Sequence, residues 1–172
     1  MTGVAVVMGD DRSPNSTYVQ MAGRGHRIQV DHLRKAMQSD GSIQVCFLNF
    51  AQAFMTQTAH AVLANGRANV NQRLARWILM AHARTSGNDL PFAHEFLAIM
   101  LGVRRASVTI AVQALEDSSI VSTKRGLIVV QDRAGLEEIA SPFYGVPEAE
   151  YTRLISSLSS AKFASDFGTV PR

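Results

Sequence analysis

Gly102 separates two helical hydrophobic patterns only a few residues apart, and this arrangement restricts the middle of the chain more than any other feature. Before it, Phe96, Leu97, Met100 and Leu101 recur at helical spacing, and a left-handed glycine is a common end to a helix. Val103 restarts the apolar pattern and Val108, Ile110, Val112 and Leu115 continue it. The intervals among Val108, Val112 and Leu115 give a second helix one apolar stripe to pack on the first. Two short helices joined by a tight glycine turn make a helix-turn-helix.

The opposite face of the second helix carries Arg104, Arg105, Ser107, Thr109 and Gln113, with two guanidinium groups at its beginning. A recognition helix presents its N-terminal residues to base edges in the major groove. There Arg bonds guanine O6 and N7 together, and Ser or Thr reaches bases or phosphates. Double-stranded DNA is therefore the expected partner. Two β-branched runs follow between Ser119 and Gln131, around Lys124-Arg125-Gly126, which reads as strand, turn and strand. A hairpin with a basic tip after such a helix pair is a wing. Lys124 and Arg125 are expected to meet phosphates, adding affinity and salt sensitivity without reading sequence.

Residues 74–131 resemble the winged helix-turn-helix of the Crp/Fnr family of bacterial transcription regulators. Leu74 to His82 is similar to the family's arginine-containing helix before the motif, and Leu97 to Thr109 is similar to its two DNA-facing helices. The resemblance implies base or phosphate contacts for Arg104, Arg105, Ser107 and Thr109. Ala106 departs from the Glu that many cyclic-AMP-receptor-like members use to contact cytosine, which implies a different operator. The resemblance also implies a long dimerisation helix upstream and a cyclic-nucleotide-binding-like β-roll before that.

Residues 41–65 fit the dimerisation helix. Ile43, Phe47, Phe50, Phe54, Thr58, Ala61 and Val62 recur at three, four and seven residues, a seam suited either to a partner helix or to an intramolecular core. Asn65-Gly66 is expected to break this helix before another from about residue 68 to 84. Residues 3–9, 16–20 and 26–30 read as the last strands of a β-roll and residues 31–38 as a short helix after it, with roughly the first half of such a roll absent. By the resemblance, members that bind cyclic AMP have a Glu after the glycine that aligns with Gly3, where this chain has Val4. The cassette's Arg-Ser is sought in Arg12-Ser13, but Pro14 follows, and the better-aligned Ser16 is preceded by Asn15. Cyclic AMP is not expected to bind, and the effector, if any, is left open.

A chain of 172 residues that is 47% apolar but only 7% aromatic can bury one good core or two small ones. Seventeen basic against fourteen acidic residues give +3, which suits a protein basic on one face and not a nonspecific condenser of nucleic acid. No apolar run is long enough to span a membrane and no basic segment leads into a long apolar one at the N-terminus, so a cytoplasmic location is expected.

Chemistry-bearing motifs are scarce. The single Cys46 excludes an internal disulfide and a cysteine-only iron-sulfur site, and reads as an apolar structural residue. His94-Glu95 begins like the zinc-protease His-Glu-x-x-His, but the fifth residue is Ala98. No metal site, cofactor or enzyme signature is read. Arg73 and Arg76 fit salt bridges or phosphate contacts equally well. Asp132 is suited to N-cap a short helix to Ala140, Pro147 can begin another through Leu158, and the Ser-rich end after Ser156 has no pattern.

These readings give an α+β, mostly helical chain. Residues 1–40 are a partial cyclic-nucleotide-binding-like β-roll, 41–67 the dimerisation helix, 68–145 the winged helix-turn-helix, and 146–172 a C-terminal helix and tail. The expected function is sequence-specific DNA binding by a homodimer on a near-palindromic operator, to repress a promoter or recruit RNA polymerase there. One alternative makes the shortened roll a sensor of a small effector other than a cyclic nucleotide. Another makes the chain a protein-interaction module that heterodimerises with full-length relatives.

Overall fold

The computed structural model describes residues 1–13 and 15–160; the remainder of the patternless tail expected after Ser156, from residue 161 onward, lies outside them. In chain order the elements are α1 (Val4–Val7), α2 (Val30–Ser39), α3 (Gly41–Arg67), α4 (Val70–His82), β1 (Asp89–Leu90), α5 (His94–Leu101), α6 (Arg105–Asp117), β2 (Val121–Lys124), β3 (Leu127–Val130), α7 (Arg133–Ala140) and α8 (Val146–Ser160). The class is α+β and mostly helical, with one antiparallel sheet in the order β1-β3-β2. None of the described helices is long and apolar enough to cross a membrane. The chain divides into two compact units, Met1–Thr58 with the segment from Pro147 onward, and Ala59–Val146, and α3 runs across the division.

In the first unit the strands expected at residues 3–9, 16–20 and 26–30 are not formed. Val4–Val7 is instead a helical turn, with the Met8 N–H donating to the Val4 carbonyl at 3.3 Å and to that of Ala5 at 3.0 Å. A strand satisfies its N–H and C=O groups only beside another strand, and with none to pair with among the described residues of this unit, the segment satisfies its own. The expected helix after them is present as α2. Asp40 joins α2 to α3: its carboxylate accepts from the Ser42 N–H at 2.8 Å and its carbonyl from the N–H groups of Ile43 and Gln44. The Ser42 hydroxyl and N–H together hold the Asp40 carboxyl below its usual range, so this cap is present at neutral pH and is lost as the pH falls through the lowered value. Leu33 and Ala51 are buried, and the Asn49 side-chain amide donates to the Leu154 carbonyl of α8 at 3.1 Å.

Asn65-Gly66 does not break α3, which continues to Arg67. A glycine in a last turn costs a helix little, and the chain bends only at Ala68 and Asn69. Asn69 and Gln72 form a capping box: the Asn69 side chain accepts from the Gln72 N–H at 2.9 Å, and the Gln72 side chain accepts from the Asn69 N–H at 3.1 Å. This reciprocal pair, rather than the glycine, starts α4.

The core of the second unit is built on α4, whose Leu74, Ile78 and Leu79 have no exposed surface. Leu97 of α5, Val108, Val112 and Leu115 of α6, Ile128 of β3 and Leu136 of α7 are buried with them. Trp77 meets Phe92 and Phe96 edge-on at centroid distances of 4.5 and 5.7 Å, a geometry that ring quadrupoles favour. Gly135 lets α7 approach Ile120, since a Cβ there would stand 2.7 Å from the Asp132 carboxylate and 3.1 Å from the Ile120 side chain. Asp132 occupies the N-cap of α7 as expected, but its side chain makes no capping bond.

The single tryptophan, half-buried against Phe92 and Phe96, reports the unfolding of this core. Truncating Ile78 to Ala is expected to lower stability by about 2–5 kcal/mol, because the α4 face it fills cannot collapse onto the space. Urea titration followed by Trp77 fluorescence checks this, the midpoint falling while the slope stays constant.

Candidate nucleic-acid interface

The helix-turn-helix corner closes as the sequence implies. Gly102 is left-handed (φ 61°, ψ 39°), its N–H donates to the Ile99 carbonyl at 3.2 Å, and the Val103 N–H donates to that of Ala98 at 3.1 Å. These two bonds are a Schellman termination, which satisfies carbonyls that a helix end otherwise leaves open. A further carbonyl at this end, that of Leu101, accepts from the Arg73 guanidinium of α4. A cation at a helix C-terminus also complements the helix dipole. Arg76, buried on the same helix, donates from Nε to the Phe143 carbonyl at 3.1 Å. Both arginines that sequence left between salt bridge and phosphate contact thus commit a donor to the backbone of this unit.

With Val108, Ala111, Val112 and Leu115 buried, α6 turns Arg105, Ala106, Thr109, Ile110 and Gln113 outward. Arg104 occupies the N-cap, exposed and without a capping side-chain bond, and Ser107 is half-buried at the first turn. The five α6-region residues named from sequence therefore lie together, four of them exposed. Gln113 is steadied by its amide donating to the Asp117 carboxylate at 3.0 Å.

Two α5 residues that the sequence pattern did not single out for this face also meet it. The Thr109 hydroxyl donates to the Arg105 carbonyl at 3.2 Å, so its oxygen accepts from Nδ1 of His94 at 3.1 Å. This places the histidine proton on Nδ1 and leaves Nε2 as the other ring nitrogen. Glu95 stands 3.7 Å from Nε of Arg105, both side chains being 70% exposed. A pair that exposed contributes about 0–1 kcal/mol, enough to bias the guanidinium but too little to hold it from a stronger acceptor. A shallow groove runs along this corner, lined by Glu95, Ile99, Val103, Arg104, Arg105 and Ser107 among others.

The wing is formed as expected. β2 and β3 pair from Val121 with Val130 to Lys124 with Leu127, and Arg125-Gly126 makes the turn, with Gly126 at φ 72°. Lys124 and Arg125 are exposed at its tip. Sequence missed β1, whose two residues pair antiparallel with Val129 and Ile128 of β3 and are too short for an alternating pattern. It also missed Glu116 of α6, one carboxylate oxygen of which accepts from both the N–H and the hydroxyl of Thr123, at 2.7 and 2.8 Å. Charge-assisted bonds of this kind fix the first strand of the wing to the end of the outward-facing helix. Behind them, Nδ1 of His82 accepts from Arg133 at 3.0 Å and its Nε2 donates to Asn88 at 3.0 Å, while Arg133 also donates to the Tyr144 hydroxyl at 3.0 Å. This network links α4 and α7 to the loop that leads into β1.

Among the described residues, the first unit presents no comparable cluster around the expected phosphate cassette. Gly3 and Val4 open α1, Arg12 is exposed and pairs with Asp10 at 3.5 Å, and the Ser13 hydroxyl donates to the Asn15 carbonyl at 3.1 Å. Pro14 lies outside the described residues. On α3, Ile43, Phe47, Phe50 and Ala61 are half-buried, Phe54 and Thr58 are exposed, and Phe50 stacks on Phe54 at 6.5 Å. Cys46, half-buried on this helix, is a free thiol.

Residues 72–139, which run from α4 into α7, match the family of Crp-like helix-turn-helix domains. A structure described as a Crp/Fnr-family transcriptional regulator from Eubacterium rectale ATCC 33656 aligns over 64% of this chain and 51% of its own, at 20% identity and a TM-score of 0.48. The catabolite activator protein of Thermus thermophilus aligns over 67% of this chain and 48% of its own, at 23% identity and a TM-score of 0.40. The chain spans about half the length of these two proteins. No curated protein matches it.

The corner geometry gives a direct test. A Cβ at Gly102 meets nothing within 4 Å, so the cost of Gly102→Ala is that of the left-handed backbone alone, about 1 kcal/mol. Thermal unfolding of the variant is expected to fall by a few degrees, with helix content unchanged.

Proposed function

We propose, on the premise that residues 72–139 are a Crp-like helix-turn-helix domain, that this protein is a sequence-specific DNA-binding transcription regulator. The observation that carries the reading is the orientation of α6. Its apolar stripe is buried in the unit, so Arg104, Arg105, Thr109 and Gln113 stand outward, beside a separate wing with Lys124 and Arg125 at its tip. A helix so held can enter a major groove with its first turn toward the bases, where Arg105 is positioned for a guanine and Thr109 and Gln113 for neighbouring base edges. Arg104, Ser107 and the wing cations serve phosphates, which position the domain without reading sequence. Glu95 acts as a weak acceptor that Arg105 exchanges for the base.

The regulator acts as a homodimer paired through α3. From Gly41 to Gly66 this helix carries no Asp, Glu, Lys or Arg, and Val45, Leu48, Phe54, Met55 and Val62 are exposed along it. Leu48, Met55 and Val62 recur every seven residues, the interval of a helix-to-helix seam. Ile43, Phe47 and Phe50 of the seam read from sequence are half-covered within the chain, so the exposed stripe is the better face for a second copy, with Phe54 at its edge. Two domains so paired would set their recognition helices about 34 Å apart on a near-palindromic operator. Such a dimer, acting in the cytoplasm, would block or recruit RNA polymerase at the promoter it occupies.

Selection of bound duplexes from a random library is expected to enrich a near-palindrome. Against it, Arg105→Ala should weaken binding about 5- to 150-fold and relax one base position per half-site. Lys124→Ala should weaken all sequences alike and lower the salt slope by about 0.9 for each phosphate that the variant leaves unneutralised. Anisotropy titrations at several salt concentrations check both; unchanged binding of Arg105→Ala would contradict the reading.

Met55→Glu puts a charge on each side of the proposed seam and is expected to give a monomer in sedimentation equilibrium. A dimer that survives this substitution would assign the pairing to another face.

A further inference from the structure

Ile110 is the side chain on α6 that the functions assigned so far leave unexplained. It is 72% exposed, although Val108 and Val112 on either side of it are buried. Single exposed apolar residues are common on protein surfaces, and exposure alone says little. The position says more. At about 100° per residue, Arg105, Thr109, Gln113, Ala106 and Ile110 follow one another around an outward sector of about 140°, with Arg105 at one edge and Ile110 at the other. Ala106 and Ile110 are four residues apart and share one strip of that sector, so their exposed alkyl groups lie in line, beside a row of hydrogen-bonding side chains.

The major groove offers a matching feature. Every base edge there presents a donor or an acceptor, and thymine adds an apolar 5-methyl group beside its O4 acceptor. We propose that Ile110, with Ala106 beside it, reads thymine by covering its 5-methyl group, at a base pair next to those faced by Arg105 and Thr109. Ile110 is then a specificity-determining residue: it adds a thymine to each half-site on the side of the helix away from Arg105. The proposal rests on the reading that α6 enters the major groove.

Replacing thymine by deoxyuridine removes that methyl group and leaves every hydrogen-bonding group in place, so the decisive change is made in the DNA and needs no variant that must fold. On the duplex selected by the wild-type protein, each thymine is replaced in turn and affinity is measured by anisotropy. The expected result is a loss of about three- to fourfold at one thymine per half-site, the size set by burying one methyl group, with the other positions unchanged. Ile110→Ala, which leaves the core intact, should bind the thymine and uracil duplexes equally at that position.

A uracil series that is flat for the wild type overturns the proposal, and so does an Ile110→Ala protein that still discriminates as the wild type does. If Arg105→Ala relaxes the site while the uracil series stays flat, the Ile110 assignment alone fails. If no duplex is selected, the reading of α6 fails and takes this proposal with it.

Discussion

The closure of α5 at Gly102 is the constraint on which the rest of the second unit depends. The two Schellman bonds stop one helix and set the direction in which the next begins, three residues after Gly102. Arg73 holds this corner from α4 by donating to the Leu101 carbonyl, so the angle between α5 and α6 is referred to the most deeply buried helix of the unit. Once that angle is set, burying Val108, Val112 and Leu115 leaves Arg105, Thr109 and Gln113 facing water. The candidate interface is thus the complement of a packing solution. Its polar side chains stand outward because the opposite side of the same helix is taken up by the core.

The second requirement is that the wing keep a fixed relation to that helix. A two-stranded hairpin alone is marginal in water, and this one is supported three ways. β1 covers the free side of β3, Ile120 and Ile128 enter the core, and Glu116 of α6 binds Thr123 of β2. Glu116 would position the proposed interface without being part of it. Its carboxylate links the helix proposed to read bases to the strand that carries Lys124. The arginines of α4 and α7 act similarly, since planar guanidinium groups can each serve carbonyl, hydroxyl and imidazole acceptors from several directions.

α3 presents the opposite situation, a long helix whose uncharged surface exceeds what its own chain covers. Small Ala51, Ala53 and Ala64 are fully buried, whereas Val45, Leu48, Met55 and Val62 remain in water. Exposing such a stripe is unfavourable for an isolated chain, and pairing two copies removes that exposure from both at once. The dimer and the DNA contact are therefore proposals of one piece, because a symmetric operator calls for a symmetric reader.

Local chemistry was legible in the sequence. Helical periodicity located α5, α6 and α8, the single glycine in the corner located the turn, and β-branched residues around a basic Gly turn located the wing. Each of these depends on neighbours within a few residues, which sequence displays directly. What depended on distant partners was not legible. Residues 3–9 have strand composition but, among the described residues, no strand to pair with, and Val4–Val7 coil into α1; Asn65-Gly66 reads as a break but falls in a last turn, and the capping box at Asn69 governs the bend. Arg73 and Arg76 look like surface cations until α4 is packed, when carbonyls 28 and 67 residues away become their partners. Sequence by itself determined the two helices at the Gly102 corner, the two strands of the wing and which face of α6 is apolar. Only the tertiary structure decided which side of α3 is left uncovered, which carboxylate holds the wing, and that Ile110 stands in water, because burial is a property of what packs against a residue and not of the residue itself.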